Sequence, residues 1–290
     1  MSVLDIIKPD EKVLPVVFDS PHSGRHYPEE FDFICDMESM QRAEDNDVDH
    51  LFDQAPKFGA TFIHALFPRT YIDTNRAADD IDLDLIEGNW PEEIAPTVRS
   101  HAGIGLIRRL LKPGIPVYDR KLTVEEIKHR ITTYYEPYHD ALENAVSEHH
   151  YNFGQVWHMN CHSMPSTRMS ARPPRSSLGL ISMQPDFVLG DRNGTSCNAD
   201  FTRAIRKFLK DLGYRVAIND VYRGVEIVRR YGTPSIGRHS IQIEINKALY
   251  WDEEKLCRNK NYDKFKNDIT GMIDFITDYA ERNLTMLAAD

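Results

Sequence analysis

The sequence predicts an α/β fold, on three observations. Strand-like and helix-like stretches alternate along the whole chain. Residues 13–19 form an apolar run, with Val16, Val17 and Phe18, that ends at Asp19 in a turn-rich loop, as a buried strand does. Residues 124–149 carry Ile127, Ile131, Tyr134, Tyr138, Leu142 and Val146 at helical spacing, the mark of a core-packed helix. The remaining elements follow in order. A helix is expected over residues 39–58, where Val48, Leu51, Phe52 and Ala55 share a face, and strands over 61–66 and 70–73. Residues 75–96 are a polar connection with Asp79, Asp80, Asp82 and Asp84; they lack the sixth-position glycine and closing glutamate of a calcium loop and read as a solvated or active-site loop. Then come a strand over 155–161, a basic, proline-containing loop over 168–177, a helix over 199–212, a strand over 240–245 and a C-terminal helix over 262–282. No segment has linker composition, so residues 1–290 are expected to form one domain.

Composition narrows the function classes. Hydrophobic residues make up 41% and charged residues 28% of the 290, enough apolar content for a fully formed core. The formal net charge of −10, with no basic stripe, argues against a nucleic-acid binder. No apolar run approaches the roughly 18 residues of a membrane span, and no basic segment followed by an apolar one opens the chain. Cys35, Cys161, Cys197 and Cys257 form no C-x-x-C pair and read as reduced thiols, so a cytoplasmic protein is expected. Nothing in the sequence specifies the oligomeric state.

Several common catalytic motifs are absent. There is no G-x-S-x-G elbow, no phosphate-binding P-loop and no H-E-x-x-H; Gly103-Ile104-Gly105 lacks the third glycine of a dinucleotide fingerprint, and Glu148-His149-His150 reads as an exposed helix end. His158 and His162 lie in a strand, where four residues span about 13 Å, too far for two rings to share one ion. One of the two is then structural, and that role is assigned to His158. Three other side chains suit a metal. His22 follows the first strand, Asp45 sits near the start of the 39–58 helix, and His162 follows the 155–161 strand. Functional groups gather at the carboxyl ends of strands in open α/β sheets, and two histidines with one carboxylate are a usual catalytic zinc set. In Ser240-Ile241-Gln242-Ile243-Glu244-Ile245-Asn246 the isoleucines share one face and Glu244 lies on the other. A carboxylate so placed needs a partner or a task. Taken singly, each of these residues is more ordinary: a core histidine, a helix-start aspartate, an ion-paired glutamate.

Together they form part of a wider pattern. The strings Phe18-Asp19-Ser20-Pro21-His22-Ser23-Gly24, Asp45-Asn46-Asp47-Val48-Asp49-His50-Leu51-Phe52 and Arg69-Thr70-Tyr71-Ile72-Asp73-Thr74-Asn75-Arg76 occur in that order. They are followed by Cys161-His162-Ser163-Met164-Pro165-Ser166, Leu189-Gly190-Asp191-Arg192-Asn193-Gly194-Thr195-Ser196-Cys197 and Gln242-Ile243-Glu244-Ile245-Asn246-Lys247-Ala248-Leu249-Tyr250. This succession, over roughly residues 13 to 255, resembles the N-formylglutamate amidohydrolase family. The resemblance implies a hydrolase-like, zinc carboxypeptidase-like fold with a mixed β-sheet flanked by helices. It implies one Zn²⁺ held by His22, His162 and a carboxylate, Asp45 or in its place Asp47 or Asp49. Glu244 would be the catalytic glutamate, and Asn75 and Arg76, with Arg69, would grip the carboxylate of a small amide. The implied reaction releases formate and L-glutamate from N-formyl-L-glutamate, a step of histidine breakdown. The alternatives are a deacylase or peptidase for another small N-acyl amino acid, or a metal-free binding protein on a degenerate enzyme fold. Two departures stand out. Arg25 occupies the place where the related clan carries a glutamate ligand, and Asn160 replaces an aspartate two residues before His162, which is expected to weaken support of that ligand.

Overall fold

The computed structural model describes residues 2–112, 114–166 and 184–287; the basic loop expected over 168–177 lies outside the described residues. At its centre is a seven-stranded sheet. The strands are β1 (Leu4–Ile7), β2 (Val16–Ser20), β3 (Thr61–Ala65), β4 (Val156–Met164), β5 (Phe187–Gly190), β6 (Val216–Ile218) and β7 (Arg238–Asn246), in the spatial order β1-β3-β2-β4-β7-β5-β6. β3, β2, β4 and β7 are mutually parallel; β1 opposes β3, and β5, with β6 parallel to it, opposes β7. The helices around it include α1 (Met37–Arg42), α2 (Val48–Leu51), α3 (Val124–Arg130), α4 (Glu136–Phe153), α5 (Ala199–Asp211), α6 (Glu226–Tyr231) and α7 (Tyr262–Leu287), with one further short helix at Val98–His101. The sheet is thus mixed and flanked by helices, as expected.

Each face has its own apolar core. Phe18, Met159, Ile241, Ile243 and Ile245 pack with Ile205 of α5 and Ile269 and Ile273 of α7. Val17, Ile63 and Ala65 pack on the other face with Tyr138, Leu142 and Val146 of α4. α3 starts with a capping box between Thr123 and Glu126, which satisfies two of its free amides. It runs through a π-helical turn, Ile131–Tyr135, into α4, which stops at Gly154 with φ 72°. That left-handed stop is cheap only for glycine.

Strand alternation does the work of placing chemistry. In the β4–β7 register His158 lies opposite Ser240, Asn160 opposite Gln242 and His162 opposite Glu244, so these polar side chains share the face opposite the isoleucines. Asp19 of β2 pairs in register with Asn160 and joins the same row. Its fully buried carboxylate accepts from Tyr138 Oη at 2.6 Å, His158 Nε2 at 2.8 Å and Asn160 Nδ2 at 2.9 and 3.1 Å. Burial alone would raise its pKa; the His158 hydrogen bond and charge outweigh that and hold it below the usual range. His158 has its other ring nitrogen 2.8 Å from Ser240 Oγ. This serine–histidine–aspartate row has the residue types of a nucleophilic triad but is sealed from solvent, and it acts as a polar spine. We expect Asp19→Ala to cost about 3–5 kcal/mol in urea unfolding, because it strands His158 and Asn160 in a dry interior.

Several sequence expectations are corrected. The helix over 39–58 is broken into α1, α2 and a 3₁₀ turn, Ala55–Phe58. Residues 70–73 are not a strand: Thr70 and Tyr71 close a turn and Ile72 and Asp73 are irregular, with Asp73 drawn into side-chain bonds described below. β4 continues to Met164, so His162 lies within the strand rather than after it. His149 is buried, 2.9 Å from Thr61 Oγ1, and is not part of an exposed helix end. In the acidic connection, Asp80 binds the Thr97 amide and Asp82 pairs with Arg109, both structural tasks. No described helix is long and apolar enough to cross a membrane.

Candidate metal centre and its cavity

The chain leaves β2 at Ser20 and turns through Pro21 and His22 to Gly24. A Cβ at Gly24 would lie 2.4 Å from the carbonyl carbon of Leu66 and from Phe67 O, so a side chain there would push the loop off the neighbouring backbone. The loop is stapled to the segment between α1 and α2. Asp45 N donates to His22 O at 3.1 Å, and Ser23 Oγ donates to Asp45 O at 2.9 Å. Lys247, buried just after β7, donates to Glu44 O and, at 3.0 Å, to Asn46 Oδ1. Asp47 adopts a left-handed φ of 58°. These bonds take backbone groups that a continuous helix would use internally, which is why the 39–58 helix breaks here and the Asp45 side chain turns inward.

Three ligand atoms converge. One potential ligand atom each from His22, Asp45 and His162 all lie within 4.8 Å of one another, and all three residues are buried. Asp45 Oδ2 is 3.4 Å from His22 Nδ1 and 2.9 Å from His162 Nδ1. The outward nitrogens are also accounted for. His22 Nε2 lies 2.7 Å from Asp73 Oδ1, and His162 Nε2 lies 2.7 Å from Asn160 Oδ1. The Asp73 carboxylate is an acceptor, which places the His22 ring proton on Nε2 and leaves its Nδ1 lone pair facing Asp45; His162 Nε2 has both an acceptor, Asn160 Oδ1, and a donor, Asn75 Nδ2, beside it. The His22 ring lone pair and a carboxylate oxygen aimed at one point repel unless a cation sits between them. His22 Nδ1 is accordingly buried with no hydrogen-bond partner. The residues present therefore fit a metal ion. Asn160, one of the two departures, still supports His162, because Asp19 holds its amide nitrogen and turns its oxygen toward the ring. Arg25, the other, points to Asp47 at 2.6 Å. Arg258 also binds Asp47, and neither Asp47 nor Asp49 belongs to the cluster.

The cluster opens on a cavity of about 490 Å³, lined also by Arg69, Asn75, Arg76, Arg99, Arg108, Tyr222, Gln242, Glu244 and Lys247. Glu244 Oε1 accepts from Gln242 Nε2 at 2.7 Å. Burial, and after it the negative charge of Asp45, push the Glu244 carboxyl well above the usual range. Arg69 sits between two carboxylates, 3.3 Å from the candidate ligand Asp45 and 2.8 Å from its neighbour Asp73. Asn75 Oδ1 accepts from Ile227 N at 3.0 Å, and its Nδ2 lies 3.1 Å from His162 Nε2. Arg76 donates to the Asn75 carbonyl at 3.0 Å. The structure thus gathers His22, Asp45, His162, Glu244, Asn75, Arg76 and Arg69 around one cavity. Sequence reasoning assigned no role to Asp73, which orients His22, or to Arg108. Asp73 stood in a quoted motif, but its partners lie far along the chain, and Arg108 carried no local signal.

Comparisons with known proteins identify the family. The profile of the N-formylglutamate amidohydrolase family matches residues 14–251. An N-formylglutamate deformylase of Pseudomonas putida is 28% identical over 247 residues, 83% of each chain. Its counterpart in Pseudomonas aeruginosa is 26% identical over 246 residues, covering 83% of this chain and 84% of that one. The crystal structure of an N-formylglutamate amidohydrolase from Ralstonia eutropha JMP134 superposes with a TM-score of 0.92 at 40% identity, covering 98% of this chain and 100% of that one. With more than half of its length matched by one family and five of the six ordered blocks contributing to one cavity, the chain belongs to the N-formylglutamate amidohydrolase family.

Proposed function

We propose that this protein is a cytoplasmic, zinc-dependent hydrolase that splits the amide of N-formyl-L-glutamate into formate and L-glutamate, a reaction of histidine breakdown. The observation that carries the reading is the convergence of His22, Asp45 and His162 in a buried pocket that Glu244 and several arginines also line. Two histidines and a carboxylate with room for a further ligand suit a catalytic Zn²⁺. A bound zinc ion would supply Lewis acidity to the amide carbonyl and to water. The chain's own residues do the rest. Glu244 takes a proton from the attacking water and passes it to the departing nitrogen, and Gln242 fixes the orientation of its carboxyl. Asn75 and Arg76 hold a substrate carboxylate, and Arg69 balances the charge of Asp45 and Asp73.

Zinc-loaded protein is expected to release formate from N-formyl-L-glutamate, to do so faster than from a panel of other N-acyl amino acids, and to lose the activity to a chelator and regain it with zinc. Release of acyl product from another member of the panel but not from N-formyl-L-glutamate would refute the substrate. Full turnover with no metal bound would refute the chemistry.

A further inference from the structure

The arginines of the cavity are not equally committed. Arg69 has one terminal nitrogen on Asp45 and the other on Asp73. Lys247 is tied to Glu44 and Asn46. Arg108 differs. Its side chain is only 11% exposed, and while its Nε is buried without a hydrogen-bond partner, as that of Arg69 is, it lacks the two terminal-nitrogen bonds that Arg69 makes. The anion it faces, Asp73 Oδ2, is 3.7 Å away and already bound by Arg69 at 2.8 Å. Arg76 lies beside it: its Nε donates to Ile104 O at 3.4 Å, and Ile104 is bridged to Arg108 across a tight turn. The described partners of Arg76 are the neutral carbonyls of Asn75 and Ile104, so its charge is not matched by a contact anion. A dry guanidinium with unused donors is costly unless something completes it. Its planar fork fits a carboxylate.

From this placement we infer that Arg108, rather than Arg69, joins Arg76 as the receptor for a carboxylate of the substrate, and so sets the preference for a dicarboxylic N-formyl amino acid. Arg69 is left to neutralise Asp45 and Asp73. The identity of the ligand rests on the function proposed above; the anion site rests on the donors of Arg108.

Two measurements test it. In the first, wild type and Arg108→Met are assayed on N-formyl-L-glutamate, N-formyl-L-glutamine and N-formyl-L-isoglutamine, each amide lacking one carboxylate. The variant is expected to raise KM for N-formyl-L-glutamate roughly 10- to 100-fold, the worth of a charged hydrogen bond, and to lose its discrimination against one of the two amides. An equal fall in kcat/KM on all three substrates, or an unchanged KM, overturns the assignment. In the second, glutarate is titrated calorimetrically into the zinc-loaded proteins, with the affinity expected to fall by a similar factor in the variant. If wild type turns over none of the three substrates while the glutarate affinity still falls, the N-formylglutamate reading fails and the anion site stands. If the glutarate affinity is unchanged, the anion site fails whatever the turnover. Arg108→Lys keeps the charge and loses the fork, and it carries the same test with a smaller effect should the methionine variant not fold.

Discussion

Glu244→Gln is expected to lower kcat by about 10²- to 10⁴-fold, the usual weight of a general base, while the protein keeps its full complement of zinc. The change is nearly isosteric, and the Gln242 amide that donates to Glu244 Oε1 can donate equally to a glutamine carbonyl. Glu244 is not one of the three clustered ligands, so elemental analysis should give the same metal content for variant and wild type. Stability supplies a control. Folding raises the pKa of this carboxyl through burial and the nearby Asp45 charge. A carboxyl raised in this way favours the fold only at low pH, and it opposes the fold once the pH passes its unfolded value. The neutral amide removes that opposition, so with the metal stripped from both proteins the variant should melt no lower than wild type at neutral pH. The acid limb of the kcat/KM profile, where Glu244 must lose its proton, should be missing from the residual rate. A variant that keeps more than a tenth of the rate places the base elsewhere. A variant that loses its zinc makes Glu244 a ligand.

Much of the site was legible because its signals are local. The two-residue period of residues 240–246 placed Glu244 opposite Ile241, Ile243 and Ile245, and the sheet keeps that division. His158 was separable from His162 by strand geometry alone, and it does bond to Asp19 beneath the site. What the sequence hid depends on contacts between distant segments. Val48, Leu51, Phe52 and Ala55 suggested an unbroken helix, yet Ser23 and Lys247 take the polar groups of Asp45 and its neighbours and break it. Asp73 sits in a stretch that reads as β-forming, but its carboxylate binds His22 Nε2, Arg69 and the Asn75 amide, and the backbone bends to serve them. β1, β5 and β6 have four, four and three residues, too short for their period to stand out. Arg108 looks like any surface arginine in sequence, because burial belongs to the fold and not to the residue.

The contrast between a ligand and its support gives the other large effect. His162→Ala should empty the metal site and abolish turnover, since it removes one of the three ligand atoms that converge among the described residues and leaves His22 and Asp45 to hold an ion as a pair. Asp73→Asn should be milder. The carboxylate of Asp73 accepts from His22 Nε2 at 2.7 Å, and an amide oxygen in the same place can still accept that proton. What is lost is negative charge. Burial would raise the Asp73 pKa, but Arg69 and then His22 hold it well below the usual range, so the native group is ionised and makes the His22 ring a better donor to a metal. Loss of such an outer partner costs roughly 10- to 100-fold in metal affinity. Competition for zinc against a chromophoric chelator should therefore rank wild type above Asp73→Asn by that factor, and Asp73→Asn well above His162→Ala. Equal affinity of His162→Ala and wild type would mean that the ion binds elsewhere. A larger loss for Asp73→Asn than for His162→Ala would make Asp73 a ligand in its own right and His22 its neighbour, reversing the inner and outer roles that the two ring nitrogens define.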